Sequence, residues 1–362
     1  MNTLSPKQLW DRLLEINLVT GEMPPTVDQH APWFVRVMLG FAGWIGALFM
    51  LGFVGASLSF IMRSSSASLI AGALVCSGAA AIFRFSQGKD FAIQFGLATS
   101  FAGQAMFIFG IMETFRWGSG FGYIAVAIFE AGLAAIVVNE IHRGATAFAA
   151  AVSLSLALSW YGIPHLAPAL ITAAVAVLWM HEFSWADKGS VLRPIGYSLV
   201  LAALYSNSTL FMRDTAWLLG RGGAHNPALS MISSWAGVLL TSAVFLYTTV
   251  RLAAREGFGI NDRPARTALV AAAAIAIASF KAPGIATGLV IVLLGFANAN
   301  RVLTGLGIFS LIIYLSIYYY QLQATLLIKS ASLVATGIML LVARIALGRL
   351  WPAVDHKGEH NA

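Results

Sequence analysis

The chain has 362 residues, of which 59% are hydrophobic and only 10% charged. A soluble domain carries about 25% charged residues, so this surface cannot face water alone, and a soluble multi-domain architecture is excluded. The net charge of +7 would suggest nucleic acid in a soluble domain, but the basic residues sit in short stretches between apolar runs and read as topology signals.

The first 30 residues are polar, and no cleavable secretory signal is expected at the start. Within them, SPKQLWDRLLEINLVTGEMPP reads as a short amphipathic helix. Ser5 is placed to cap it, Pro6 suits its first turn and Gln8 completes a capping box. Leu9, Leu13 and Ile16 share a face, and Gly21 and Pro24 stop the helix. Such a helix either lies on the membrane surface or docks a soluble partner. The expected organisation is this N-terminal helix and linker over 1–32, a transmembrane domain over 33–347, and a polar tail over 348–362.

Apolar runs long enough to cross a bilayer then recur along the chain. Twelve spans are expected, at roughly 37–62, 67–83, 91–112, 121–139, 145–162, 166–180, 194–211, 229–250, 266–280, 284–298, 302–320 and 323–343. The fold class is therefore all-α, a polytopic transmembrane helical bundle. The ninth and tenth spans are the shortest and are rich in alanine, with KAPG between them. About 15 helical residues reach only about 22 Å against a hydrocarbon core of about 30 Å, so these two read either as short spans or as a re-entrant pair. No internal repeat is visible. The single cysteine, Cys76, falls inside the second span, which excludes an intrachain disulfide and a cysteine metal centre.

The basic residues orient the bundle. Of the 22 Lys and Arg, Lys329 falls inside a span and only Arg63, Arg116, Arg213, Arg221 and Lys281 fall on the side opposite the N-terminus, here called side B. The remaining sixteen fall on the N-terminal side, side A. By the positive-inside rule side A is cytoplasmic, and both termini lie inside.

Two ionisable residues fall within spans. Glu130 lies nine residues in from side B on the fourth span, about 13 Å deep, and Lys329 lies about 10 Å deep on the last. Thr325, Lys329, Ser332 and Thr336 make one polar stripe, which should face other helices rather than lipid. A lone charge at the bilayer centre costs about 2.5–3.5 kcal/mol or more, which motivates pairing Glu130 with Lys329. Lys329 snorkelling to side B, and Glu130 as a protonated acid hydrogen-bonded to a neighbouring helix, remain open. Gln104 and Asn207 would join these two in a substrate or proton pathway, although Gln94 and Gln104 also suit helix bridging. Nearer side B, Arg116, His165, Arg213, Asp214, Lys281 and Tyr318 would form an outer vestibule attractive to anions, among aromatic residues that otherwise read as an interfacial belt. Gly284 and Gly288 have the spacing of close helix packing.

No Walker lysine, zinc spacing or nucleophile elbow occurs, and no metal or other cofactor is expected. His356 and His360 bracket Glu359 in the polar tail, a poor setting for a metal.

The closing pattern YYY-x-L-x-x-T-L-L-x-K-S, then a small-residue span and Arg344, resembles the C-terminal signature of bacterial multi-pass inner-membrane proteins whose domain has no assigned function. Tyr318, Tyr319, Leu322, Leu326, Leu327, Lys329 and Ser330 match that signature. The plan QLW, APWFVR and a Gly-rich first span is similar too. The resemblance implies an inner-membrane location and a membrane-anchored envelope partner carrying a GDYxxLxY motif, and it carries over no reaction and no catalytic residue. Three readings follow: a transporter with Glu130 and Lys329 in its pathway, a scaffold or assembly subunit for an envelope protein, and a membrane enzyme acting on lipid or glycan.

Overall fold

The computed structural model describes residues 6–16, 18–21, 35, 38, 41–46, 48–49, 52, 64–85, 90–211, 226–280, 284–321, 327, 330 and 334. Among the described residues every regular element is helical: α1 (Pro6–Glu15), α2 (Ser65–Phe85), α3 (Asp90–Thr114), α4 (Gly120–Ile136), α5 (Glu140–Trp160), α6 (Leu166–Met180), α7 (Gly189–Phe211), α8 (Pro227–Arg255), α9 (Arg263–Ser279), α10 (Ile285–Ala297) and α11 (Arg301–Gln321), with one 3-10 turn at Ala186–Lys188 before α7. Helix is the form that satisfies every backbone group within its own segment, as a lipid environment requires.

Five of these helices, α2, α3, α5, α8 and α11, are long and apolar enough to cross a membrane, and α4, α6 and α10 are shorter apolar helices. Their outward faces carry large apolar side chains, such as Phe121, Ile128 and Phe296 at 69%, 68% and 80% exposed. In water those faces would be a severe liability; in acyl chains they are at home. The first and last expected spans fall mostly outside the described residues. The ninth and tenth correspond to α9 and α10, with 17 and 13 residues.

The chain divides into two compact units. One comprises Met1–Leu58 with Val75–Ala102, and the other Ser59–Leu74 with Gly103–Ala362. In the first, the Trp44 indole donates to the Gln94 side-chain oxygen at 2.9 Å, and the Cys76 thiol donates to the Ser100 carbonyl at 3.7 Å. Gln94 therefore ties distant parts of the chain together, as expected of it.

The second unit is built around α6, α8 and α10, whose Val175, Trp179, Phe245, Val290, Ile291 and Leu294 form one core with Val200 of α7 and Leu303 of α11. Helix starts are specified locally. Ser119 caps α4 through the Gly122 amide, Asn139 caps α5 through the His142 amide, and Asn226 caps α8 ahead of Pro227. The α10–α11 pair packs backbone to backbone, since a Cβ on Gly295 would lie 2.5 Å from the Thr304 amide nitrogen.

Polar bonds stitch this unit across helices. Ser155 and Ser206 meet at 2.9 Å between α5 and α7, and Thr172 and Thr287 meet at 3.0 Å between α6 and α10. Hydroxyl pairs of this kind hold apolar helices together where the hydrophobic effect supplies no preference.

One bond explains a local irregularity. The seventh expected span starts at residue 194, but α7 begins at Gly189 and contains Pro194. Proline has no N–H, so the Ser190 carbonyl, four residues back, loses its helical donor. The Arg143 guanidinium supplies one, Nη1 to the Ser190 oxygen at 3.2 Å. Its Nε donates to the Ala134 carbonyl at 2.9 Å, one of the orphan acceptors in the last turn of α4. A single buried arginine thus completes two helix backbones.

Candidate functional site

Glu130 lies on the inward face of α4 with Gly122, Val126 and Ala134. It is 0% exposed. Both carboxyl oxygens are buried without a hydrogen-bond partner among the described residues. A bare carboxylate in this setting would be an uncompensated charge in an apolar medium. With a proton it becomes a neutral group.

The other residues expected beside Glu130 lie in different settings. Gln104 is buried on α3, and its Nε2 lies 3.0 Å from the His142 Nε2 at the start of α5. Asn207, on α7, donates from Nδ2 to the Ala203 carbonyl at 2.9 Å. Neither is a hydrogen-bond partner of Glu130. Lys329 lies outside the described residues, as do Arg213, Asp214 and Lys281. Arg116 is exposed in the α3–α4 turn with φ of 64°, and Tyr318 is half-buried in the last turn of α11.

The structure does bring Asn207 and His165 together. They wall a cavity of about 20 Å³ with Pro168 of α6, Leu210 of α7, Gly237, Val238, Thr241 and Ser242 of α8, Ser279 of α9, and Gly284 and Ala286 at the start of α10. His165 is the N-cap residue of α6. Its amide donates to the Ser233 hydroxyl at 3.2 Å, and burial holds its imidazole below the ordinary value of 6.5. Gly237 allows α8 to approach the start of α6 closely, since a Cβ there would come 2.4 Å from the His165 carbonyl oxygen. Behind the cavity, Gly284 has φ of +99° and abuts the Tyr314 ring. The Tyr314 hydroxyl donates to the Ala203 carbonyl at 3.3 Å.

A second concavity of about 480 Å³ lies between α4, α5, α6 and α7. Its walls are wholly apolar and rich in alanine, including Ala127, Ala131, Ala147 and Ala174. Neither concavity has Glu130 in its walls. Among the described residues no group of three or more His, Cys, Asp or Glu is gathered for a metal.

Three residues went unremarked in the sequence. His142 sits three residues after a capping asparagine, where the polar start of a helix conceals it. Arg143 reads as a topology charge but is 4% exposed. Ser242 is a serine in an apolar helix, and helical spacing alone gives it no distinction.

No curated protein matches the chain, and no solved structure matches it. The model of DUF4401, a domain of unknown function, matches residues 32–350, and the chain belongs to that family.

Proposed function

We propose that this is a multi-pass inner-membrane protein of transporter type in which Glu130 takes up and releases a proton during the working cycle. The observation that carries the reading is the burial of both Glu130 oxygens, without a hydrogen-bond partner among the described residues, on an apolar helix. An ionisable residue inside a membrane is expensive and marks a pathway or relay by default. Lys329 is the proposed counter-charge, reached when the helices rearrange. The test is reconstitution in liposomes carrying an internal pH dye, with amino acids, sugars and organic acids added one at a time under a pH gradient. Solute-dependent proton movement is expected in the native protein and should be lost in Glu130→Gln. Proton movement that persists in Glu130→Gln removes Glu130 from the pathway.

A second reading is a non-catalytic scaffold for a membrane-anchored envelope protein. It is favoured by the absence of Glu130 from the walls of both concavities and by apolar side chains left exposed at and just after α1, including Ile16 and Leu18. Removal of residues 1–21 should then abolish co-purification of the envelope partner while leaving the bundle folded. Unchanged co-purification would speak against the scaffold.

A further inference from the structure

We infer that α6–α7 and α10–α11 are two copies of one helix pair, related by an approximate twofold axis running along the helices, and that the α6–α10 seam on this axis is the line along which the protein opens. The repeat stands by itself; only the purpose of the opening rests on the transporter reading.

The sequence carries the repeat once two segments are set side by side. APALITAAVAVL, residues 167 to 178, matches APGIATGLVIVL, residues 282 to 293. Ala, Pro, Thr, Val, Val and Leu recur in register, and small residues match at Ala169 and Gly284 and at Ala173 and Gly288. VLRPIG, at 191 to 196, then matches VLTGLG, at 302 to 307. A reading along the chain misses this repeat because the copies are short and apolar helices share most of their composition.

The structure sets matched positions face to face. Thr172 and Thr287, 115 residues apart, meet hydroxyl to hydroxyl at 3.0 Å. Thr172 spends its one hydrogen on the Pro168 carbonyl at 2.6 Å, so Thr287 is the donor between them. Ala203 and Tyr314 hold matched positions on the longer helices, 111 residues apart, and the Tyr314 hydroxyl donates to the Ala203 carbonyl. The two spacings differ because the link between the helices is four residues shorter in the second copy. Copies related by translation would point matched side chains the same way; a twofold axis points them at each other. Each longer helix also lays a glycine on its own short partner. A Cβ on Gly196 would lie 3.0 Å from the Leu178 and Trp179 side chains, and one on Gly307 would lie 2.7 Å from Val292.

The seam is held unevenly. At the cavity, His165 and Pro168 stand at the start of α6 and Gly284 and Ala286 at the start of α10. Among the described residues no hydrogen bond joins the two helices on the cavity side of the threonine pair. The far ends are tied. Asn298, at the end of α10, donates from Nδ2 to the Trp179 carbonyl at 2.7 Å and to the Glu182 carboxylate at 3.0 Å. The other oxygen of that carboxylate accepts from the Arg193 Nε of α7 at 3.0 Å. A seam latched at one end and unbonded at the other parts most readily from the unbonded end. In carriers built from repeats, the repeats are the parts that move.

The test is a disulfide across the axis of the full-length protein, in membranes and in a Cys76→Ser background. Thr172→Cys with Thr287→Cys should link on mild oxidation, because hydroxyls 3.0 Å apart bring their β-carbons near disulfide range. Leu170→Cys with Thr287→Cys should not link, because Leu170 faces the apolar concavity. Mass spectrometry of the linked peptides reads both pairs. In the linked protein, amide hydrogen exchange along α6 and α10 should slow severalfold, and reductant should restore it. Glu182→Gln, which weakens the latch, should speed exchange in the same two helices and leave α3 unchanged. Failure of the threonine-position pair to link would overturn the twofold contact, and a linked protein with native exchange would overturn the moving seam. Unchanged exchange in Glu182→Gln would overturn the latch, and this variant decides the matter where the cysteine pair fails to fold. None of these readouts needs a solute. Slower exchange in the linked form of a protein that moves no protons with any solute would keep the seam and remove the transporter reading.

Discussion

At the scale of single residues, the backbone rather than another side chain is the partner that matters. Arg143 is the clearest case, because its two bonds replace hydrogen bonds that the helices cannot make for themselves. Arg143→Leu should lower the thermal stability of the detergent-solubilised protein by about 3 kcal/mol or more, the scale for stranding buried acceptors and losing a charged donor. Arg143→Lys should recover only part, because an ammonium lacks the planar fork that reaches two carbonyls. Pro194→Ala would return an N–H to the Ser190 carbonyl, so Arg143→Leu should cost about 1 kcal/mol less in that background. A double-mutant cycle with strictly additive melting shifts would disprove the link between Pro194 and Arg143. His165 carries a pH prediction. Its folded form resists protonation because of burial, so the unfolded chain binds more protons below pH 6.5 and stability falls with acidity. The stabilisation is fully present above pH 6.5 and is lost as pH falls towards the lowered folded value. Melting curves from pH 8 to pH 5 should therefore decline more steeply for the native protein than for His165→Gln. Parallel declines would assign the effect to another group.

At the scale of elements, helix positions were legible in the sequence because they depend on local chemistry. The apolar runs and the KAPG break each act within a few residues of where they stand, whereas the caps at Ser119, Asn139 and Asn226 were not singled out and Asn139 fell inside the expected fourth span. The start of α7 was not legible, since Pro194 argues for a helix boundary and only Arg143, 47 residues away in sequence, makes its interior position tolerable. The candidate site was legible in part for the same reason. Glu130 and His165 stand out by cost or type, but the approach of Ser242 to His165 depends on Gly237, whose importance appears only when α8 lies against α6. Close approach also governs the α10–α11 pair and gives a prediction. Gly295→Ala must push α11 away, because the new methyl would meet backbone at 2.5 Å, and overpacking of this kind costs about 1–3 kcal/mol. Gly305→Ala on α11 meets nothing within 4 Å and gains up to about 1 kcal/mol of helix propensity. The first variant should melt several degrees lower and the second at or above the native temperature. Equal shifts would mean that the two helices are not in backbone contact.

At the scale of the whole molecule, the testable property is which loops share a side. The α3–α4 turn and the stretch between α6 and α7 are separated by three helices, α4, α5 and α6, and so should lie on opposite sides of the membrane. The stretches before α7 and after α8 are separated by two and should lie on the same side. By the positive-inside rule the first of these is expected outside and the other two in the cytoplasm. The chain has one cysteine, Cys76, which is 7% exposed, so Cys76→Ser gives a cysteine-free background with a single substitution. Trp117→Cys, Ser184→Cys and Phe258→Cys, one per variant, would each add a thiol at an exposed loop position. An impermeant maleimide applied to intact spheroplasts should label Trp117→Cys, and should reach Ser184→Cys and Phe258→Cys only after lysis. The reverse pattern would keep the helix count and invert the orientation, which would place the basic face outside and contradict the charge rule. Labelling of Trp117→Cys and Ser184→Cys from the same side would show that α4, α5 and α6 do not all cross. In that case Glu130 could not lie at the depth that makes its burial costly, and the proton-carrying role would lose its physical basis.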